Sequence, residues 1–213
     1  VDILKEETLH RFDVSSPSEQ KLYLEKVENG TLLFVKIDGM QDEFRRASKD
    51  NKQIELLHRI FTVFDRIAAK YDFAKIKSIG EVYLLIDTGE LHRESVLNEE
   101  RYRAAAEMAL EFRNVFLTNR PPHSDLNIKI GIHNGPFLAG IIGSSKWLYD
   151  CFGDSVNVTS RLSSTCPKDS IQVLKDSEVG QFLRDHAAVE QINEVQLKGK
   201  GVFDTLTLID IAK

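Results

Sequence analysis

The stretch GTLLFVKIDGM, Gly30–Met40, decides how the rest of the chain is read. Leu32 to Ile37 is an apolar run of branched and aromatic residues bounded by glycines, the pattern of a buried β-strand. Lys36 and Asp38 break it near its end. Side chains alternate faces along a strand, so both point to the same side. A core strand therefore aims an ammonium and a carboxylate at one place.

Working outward, Ser16, Pro17 and Glu19 make a helix start, and Asn29-Gly30 a helix end. Residues 1–29 are thus expected to form a linker or connector helix, and residues 30–213 the main domain. Beyond the strand, Asn51–Tyr71 reads as an amphipathic helix with Ile54, Leu57, Phe61, Phe64 and Ala68 on its apolar face. Phe73–Ile79 and Val82–Ile86 flank Gly80-Glu81 as a hairpin. Thr88–Asn98 is a polar loop. A second helix, Glu99–Leu117, is capped by Asn98 and carries Tyr102, Ala105, Ala109, Phe112 and Phe116 on one side. Leu126–His133 and Phe137–Ile142 read as strands around Asn134-Gly135, and Trp147–Phe152 as a short strand. Gly153-Asp154 starts a helix to about Ser164. Ile171–Leu174 is a strand and Ser177–Arg184 a short helix. Val189–Leu197 and Phe203–Ile209 close the chain as strands around Gly199–Gly201. Hairpins mixed with crossover helices predict an α+β sheet covered by helices.

The 213 residues are 42% hydrophobic and 29% charged, an ordinary globular composition large enough for a core without metal or disulfide staples. Cys151 and Cys166 have no metal-ligand or redox spacing, which points to a reducing, cytoplasmic setting. The net charge of −5, with dispersed Lys and Arg, argues against a nucleic-acid partner. No apolar run reaches the ~20 residues of a membrane span. A chain beginning at Val1 is expected to be part of a longer protein, so this domain is read as cytoplasmic or as the cytosolic portion of a membrane protein.

The densest local pattern is YDCFGDSVNVTSRL, Tyr149–Leu162. Asn157 and Arg161 are four apart on a helix and share a face near its positive end. Such a pair suits a sugar hydroxyl and a phosphate, and equally a solvated helix face. Glycine-marked turns at Asp38-Gly39, Gly80-Glu81 and Gly153-Asp154 are each ordinary turn chemistry when taken alone.

Together with KIKSIGEVYL (Lys75–Leu84), GIHNGPFLAGIIG (Gly131–Gly143), LKGKG (Leu197–Gly201) and the opening strand, this segment resembles the successive motifs of the class III nucleotidyl cyclase catalytic domain, in order and spacing, over about Gly30 to Ile209. The resemblance implies a ferredoxin-like α+β fold paired head to tail. Active sites would lie at the interface, and a nucleoside triphosphate would be converted to a 3′,5′-cyclic monophosphate and pyrophosphate with two Mg²⁺, or Mn²⁺, ions. It places Lys77 at the adenine N1 edge and Asp150 at the adenine amino group. Adenine offers an acceptor and a donor there and guanine the reverse, so both positions favour ATP. Ile79 would pack on the base, Asn157 orient the ribose, Arg161 stabilise charge on the α-phosphate, and Lys198 grip the terminal phosphates.

The metal half departs from the family. Its two metal aspartates fall at Lys36 and Glu81, and an ammonium has no lone pair for a cation. Lys36 is expected to pair with Glu81. Asp38, some 6–7 Å along the strand, is not expected to rescue the site. The pattern resembles the metal-site-lacking second half of a heterodimeric adenylyl cyclase. The domain would supply base-reading and transition-state residues while a second cyclase domain holds the metal. The alternatives are a catalytically silent pseudo-cyclase that regulates an active partner, and a slow homodimer using Glu81 and a backbone carbonyl with Mn²⁺. His133 and Cys151 are read as structural, Asp154 as a helix cap, and Trp147 and Tyr149 as dimer-interface residues.

Overall fold

The computed structural model describes residues 24–40, 52–87, 98–142 and 148–211. The elements are β1 (Leu24–Asp38), α1 (Lys52–Lys70), β2 (Phe73–Ile79), β3 (Val82–Asp87), α2 (Asn98–Asn119), β4 (Asn127–Ile142), β5 (Leu148–Phe152), α3 (Asp154–Thr165), β6 (Ser170–Leu174), α4 (Glu178–His186), β7 (Ala187–Leu197) and β8 (Gly201–Ile211). The strands form one sheet in the order β2-β3-β1-β4-β6-β8-β7, with β5 paired to β4. Only β4–β6 is parallel; the other pairings are antiparallel. This is the α+β sheet that the strand and helix patterns predict.

The two faces of the sheet have different work. Leu33, Val35 and Ile37 of β1, with Tyr83, Leu85, Ile128, Ile130 and Ile132, bury one face under α1, α2 and α4. Leu32, Leu84, Ile86, Phe137 and Cys151 belong to a smaller cluster on the opposite face. There α3 lies directly on β4. A Cβ at Gly131 would stand 2.5 Å from Thr159 O and 2.6 Å from Ser163 N, so only glycine lets helix and strand approach this closely. A Cβ at Gly135 would likewise stand 2.6 Å from Ser155 Oγ.

Three expectations are corrected. Leu24–Asn29 is not the end of a helix but the first part of β1, paired with β4 from Leu24↔Gly140 to Val27↔Phe137 and rejoined after a bulge at Gly30↔Gly135. Its local helix-end signal is overridden by these non-local hydrogen bonds. Asn134-Gly135 does not separate two strands, because β4 is continuous. The Asn134 amide acts as a junction instead: it donates to Asn29 Oδ1 (2.9 Å) and its oxygen accepts from Val179 N (3.1 Å). The buried stripe of α1 is Leu56, Ile60, Phe64, Ile67 and Ala68, while Ile54 is 58% exposed. Apolar residues occupy two adjacent stripes of this helix, and docking on the sheet selects between them. The helix start at Ser16, most of the loop at 88–98, and Trp147 lie outside the described residues.

Candidate active site

The face that carries α3 also carries the candidate site. Cross-strand partners share a face, and Lys36↔Val82, Ile79↔Val82 and Lys77↔Leu84 are such partners. Lys36, Lys77 and Ile79 therefore stand on the side away from α1, α2 and α4.

Lys77 and Asp150, expected to read the base, meet directly. Lys77 Nζ donates to both Asp150 carboxylate oxygens at 2.7 Å, and Asp150 Oδ1 also accepts from Cys151 N at 2.8 Å. Their side chains are 27% and 12% exposed. The ammonium keeps one donor to spare and the carboxylate keeps lone pairs, so a base edge can dock without breaking the pair. Ile79, beside them at the hairpin tip, is 65% exposed. Cys151 faces the small cluster, and burial, followed by the Asp150 charge, pushes its thiol up to about 12, leaving an inert thiol. Tyr149 packs partly buried against the same cluster.

Asn157 and Arg161 lie one turn apart on α3, Asn157 exposed and Arg161 half-buried. Arg161 Nη1 is buried without a hydrogen-bond partner. Lys198 is exposed on the β7–β8 turn. Asp154 is corrected: the cap position of α3 is Gly153, no side chain caps the helix, and Asp154 pairs with Lys200.

The third cluster surrounds Lys36. Its Nζ lies 3.6 Å from Glu81 Oε1, as expected, and also 3.1 Å from Asp38 Oδ1. Asp38 Oδ2 is held in turn by Lys129 Nζ at 2.8 Å. Strand alternation puts Asp38 on the same side as Lys36, and the two meet. Lys129 lies directly opposite Lys36 on β4, so two ammonium groups flank the carboxylate. Burial disfavours the charged Lys36, but the Asp38 hydrogen bond and charge, with Glu81 adding, outweigh it and raise its pKa. Lys129, and then Lys36, hold the Asp38 carboxyl below its usual range. Mg²⁺ requires about six oxygens at about 2.0–2.1 Å in octahedral array. Here two ammonium groups occupy the carboxylates, and among the described residues no three His, Cys, Asp or Glu converge on one point. These residues do not fit the ion.

His133 lies on β4 between Gly131 and Gly135, beneath α3, with Nδ1 buried and unpartnered. Burial pushes its pKa down to about 4, opposed only by the Asp154 charge. The folded state holds this ring neutral while the unfolded chain protonates near 6.5. Stability is therefore lost as pH falls from about 6.5 toward 4, by on the order of 3 kcal/mol once the window is crossed. Urea denaturation from pH 7 to 4 checks this. His133→Asn is expected to lose less stability over that window than the native chain.

Lys129 and Lys200 escaped the sequence reading. Neither carries a local signal, because each acts through a partner brought near only by the fold.

Residues 22–210 match the model of the adenylate and guanylate cyclase catalytic domain. An adenylate cyclase of Mycobacterium tuberculosis H37Rv is 29% identical over 192 residues, covering 90% of this chain and 42% of that protein. Human retinal guanylyl cyclase 1 is 33% identical over 190 residues, covering 87% of this chain and 17% of that protein. This chain thus spans less than half the length of either relative. The guanylate cyclase domain of RhGC from Catenaria anguillulae, solved with GTP, superposes with a TM-score of 0.76 at 26% identity, covering 88% of this chain and 99% of that one. The adenylyl cyclase CyaB from P. aeruginosa superposes with a TM-score of 0.78 at 20% identity, covering 90% of this chain and 98% of that one, a likeness of fold.

Proposed function

The chain belongs to the adenylate and guanylate cyclase catalytic domain family, and we propose that it is the base-reading and phosphate-gripping half of a heterodimeric adenylyl cyclase. The carrying observation is the Lys77–Asp150 pair, an ammonium donor and a carboxylate acceptor side by side. That order of donor and acceptor suits adenine N1 and N6 and opposes the donor and acceptor of guanine. The relatives include both adenylate and guanylate cyclases, so the choice of base rests on these two side chains.

In this reading the 3′-hydroxyl of ATP attacks the α-phosphorus. A bond forms from O3′ to phosphorus, the bond to the pyrophosphate oxygen breaks, and the hydroxyl proton is released. Lys77 and Asp150 fix the base and Ile79 covers it. Asn157 holds the ribose so that O3′ is in line. Arg161 meets the charge that develops on the α-phosphate, and Lys198 holds the terminal phosphates. The metal carboxylates come from a second cyclase domain, because Lys36 and Lys129 close the equivalent place in this chain. The same closure favours one rival reading, a silent domain that only regulates its partner.

Nucleotide choice gives the direct test. The mixed dimer, formed with a cyclase domain that keeps both metal aspartates, is expected to turn over ATP at least tenfold faster than GTP, since reversed hydrogen bonds at a buried edge cost about 1–3 kcal/mol. Equal turnover, or a preference for GTP, would remove the adenylyl assignment. No helix among the described residues is long and apolar enough to cross a membrane. We place the domain in the cytosol, free or as part of a membrane protein.

A further inference from the structure

The two lysines of LKGKG look alike in sequence, yet the structure gives them different surroundings. The β7–β8 turn is fastened to α3 at three levels. At its root Leu197 is fully buried against Val158 and Leu162. At its crest Gly199, at φ +69, brings the backbone over Arg161, and a Cβ there would lie 3.8 and 3.9 Å from the terminal guanidinium nitrogens. On its far side Lys200 Nζ donates to Asp154 Oδ1 at the start of α3, while its backbone N–H donates to Leu197 O at 2.9 Å and closes the turn. Lys198, between root and crest, is exposed.

We infer that Lys200 is a positioning residue and not a phosphate ligand: its ion pair with Asp154 latches the turn onto α3, so that Lys198 and Arg161 meet the substrate's phosphates from one fixed corner. The inference rests on the roles proposed above for Lys198 and Arg161. An unlatched turn still carries Lys198, but the nucleotide must then order the turn as it binds, and apparent affinity falls. Asp154 is 69% exposed, so the pair is weak and the effect is a matter of a few-fold. Once the nucleotide is bound the turn is ordered and Lys198 and Arg161 stand as in the native chain, so the loss falls on KM and leaves kcat nearly as it was.

Steady-state kinetics of the mixed dimer on ATP separates the roles. Lys200→Met and Asp154→Asn are each expected to raise KM two- to five-fold with kcat within two-fold. The double variant is no worse than either single one, and Lys200→Arg behaves as the native chain. If Lys200 itself gripped phosphate, Lys200→Met would raise KM more than tenfold, and Asp154→Asn, by freeing the ammonium, would leave KM unchanged or lower it. That pattern overturns the inference, as do two silent single variants. If the native mixed dimer proves inactive, the proposed function fails but the latch is still measurable in this chain alone. Amide hydrogen exchange at Lys198–Gly201 should quicken in both single variants and stay native in Lys200→Arg, and unchanged exchange overturns the latch.

Discussion

Arg161→Ala is expected to lower the kcat of the mixed dimer by about 10²–10³-fold, the usual effect of removing one donor aimed at developing charge. KM for ATP should change little, because the contact strengthens as charge moves onto the α-phosphate and not on binding. The fold should survive. Arg161 Nη1 makes no hydrogen bond within the chain, and α3 is held by Val158, Leu162 and the glycine contact with β4. Arg161→Lys should recover little, since an ammonium cannot reproduce a planar fork of donors. A thermal melt beside the kinetics separates lost chemistry from lost structure. Turnover unchanged in Arg161→Ala and in Asn157→Ala would mean that this domain only regulates its partner.

The second large effect concerns the chain by itself. With Mg²⁺ and ATP, the lone chain is expected to run at least a hundredfold slower than the mixed dimer, because a missing divalent ion removes several kcal/mol of charge stabilisation. Every site in a homodimer would carry Lys36 between Asp38 and Glu81. Changing Lys36 and Glu81 together to aspartate removes the ammonium and shortens the acid. It should raise Mg²⁺-dependent turnover of the lone chain by tenfold or more. Lone-chain turnover equal to that of the mixed dimer would show that the metal is held on this chain after all. No gain in the double variant would show that Lys129 and Asp38, which remain in place, keep the pocket shut.

How much of this was legible in the sequence depended on whether the deciding interactions were local. The Gly80-Glu81 hairpin, the face of α2 and the start of α3 were readable because turn chemistry and helical spacing act within a few residues. The first part of β1 was not. Residues 24–30 end in Asn-Gly, a helix-end signal, and only pairing with β4 more than a hundred residues away makes them a strand. Asn134-Gly135 misled in the same way, since its amide bonds to Asn29 and Val179 and not to its own turn. At the site, Lys36–Glu81 could be anticipated from the family's motif positions. Alternation along β1 put Asp38 on the side of Lys36, but Lys129, the second cation on its carboxylate, is found only once β4 is laid alongside β1. Sequence gives residue types; register decides which of them become neighbours.

Leu24, where the described chain enters, is in register with Gly140, and Gly140 is in register with Asp150 on the next strand. At about 4.8 Å per strand, the point of entry and the Asp150 position are only about 10 Å apart across two rows of backbone hydrogen bonds. A tug or twist at the start of β1 would therefore reach the Lys77–Asp150 pair through two adjacent strand pairings, a lever two strands long.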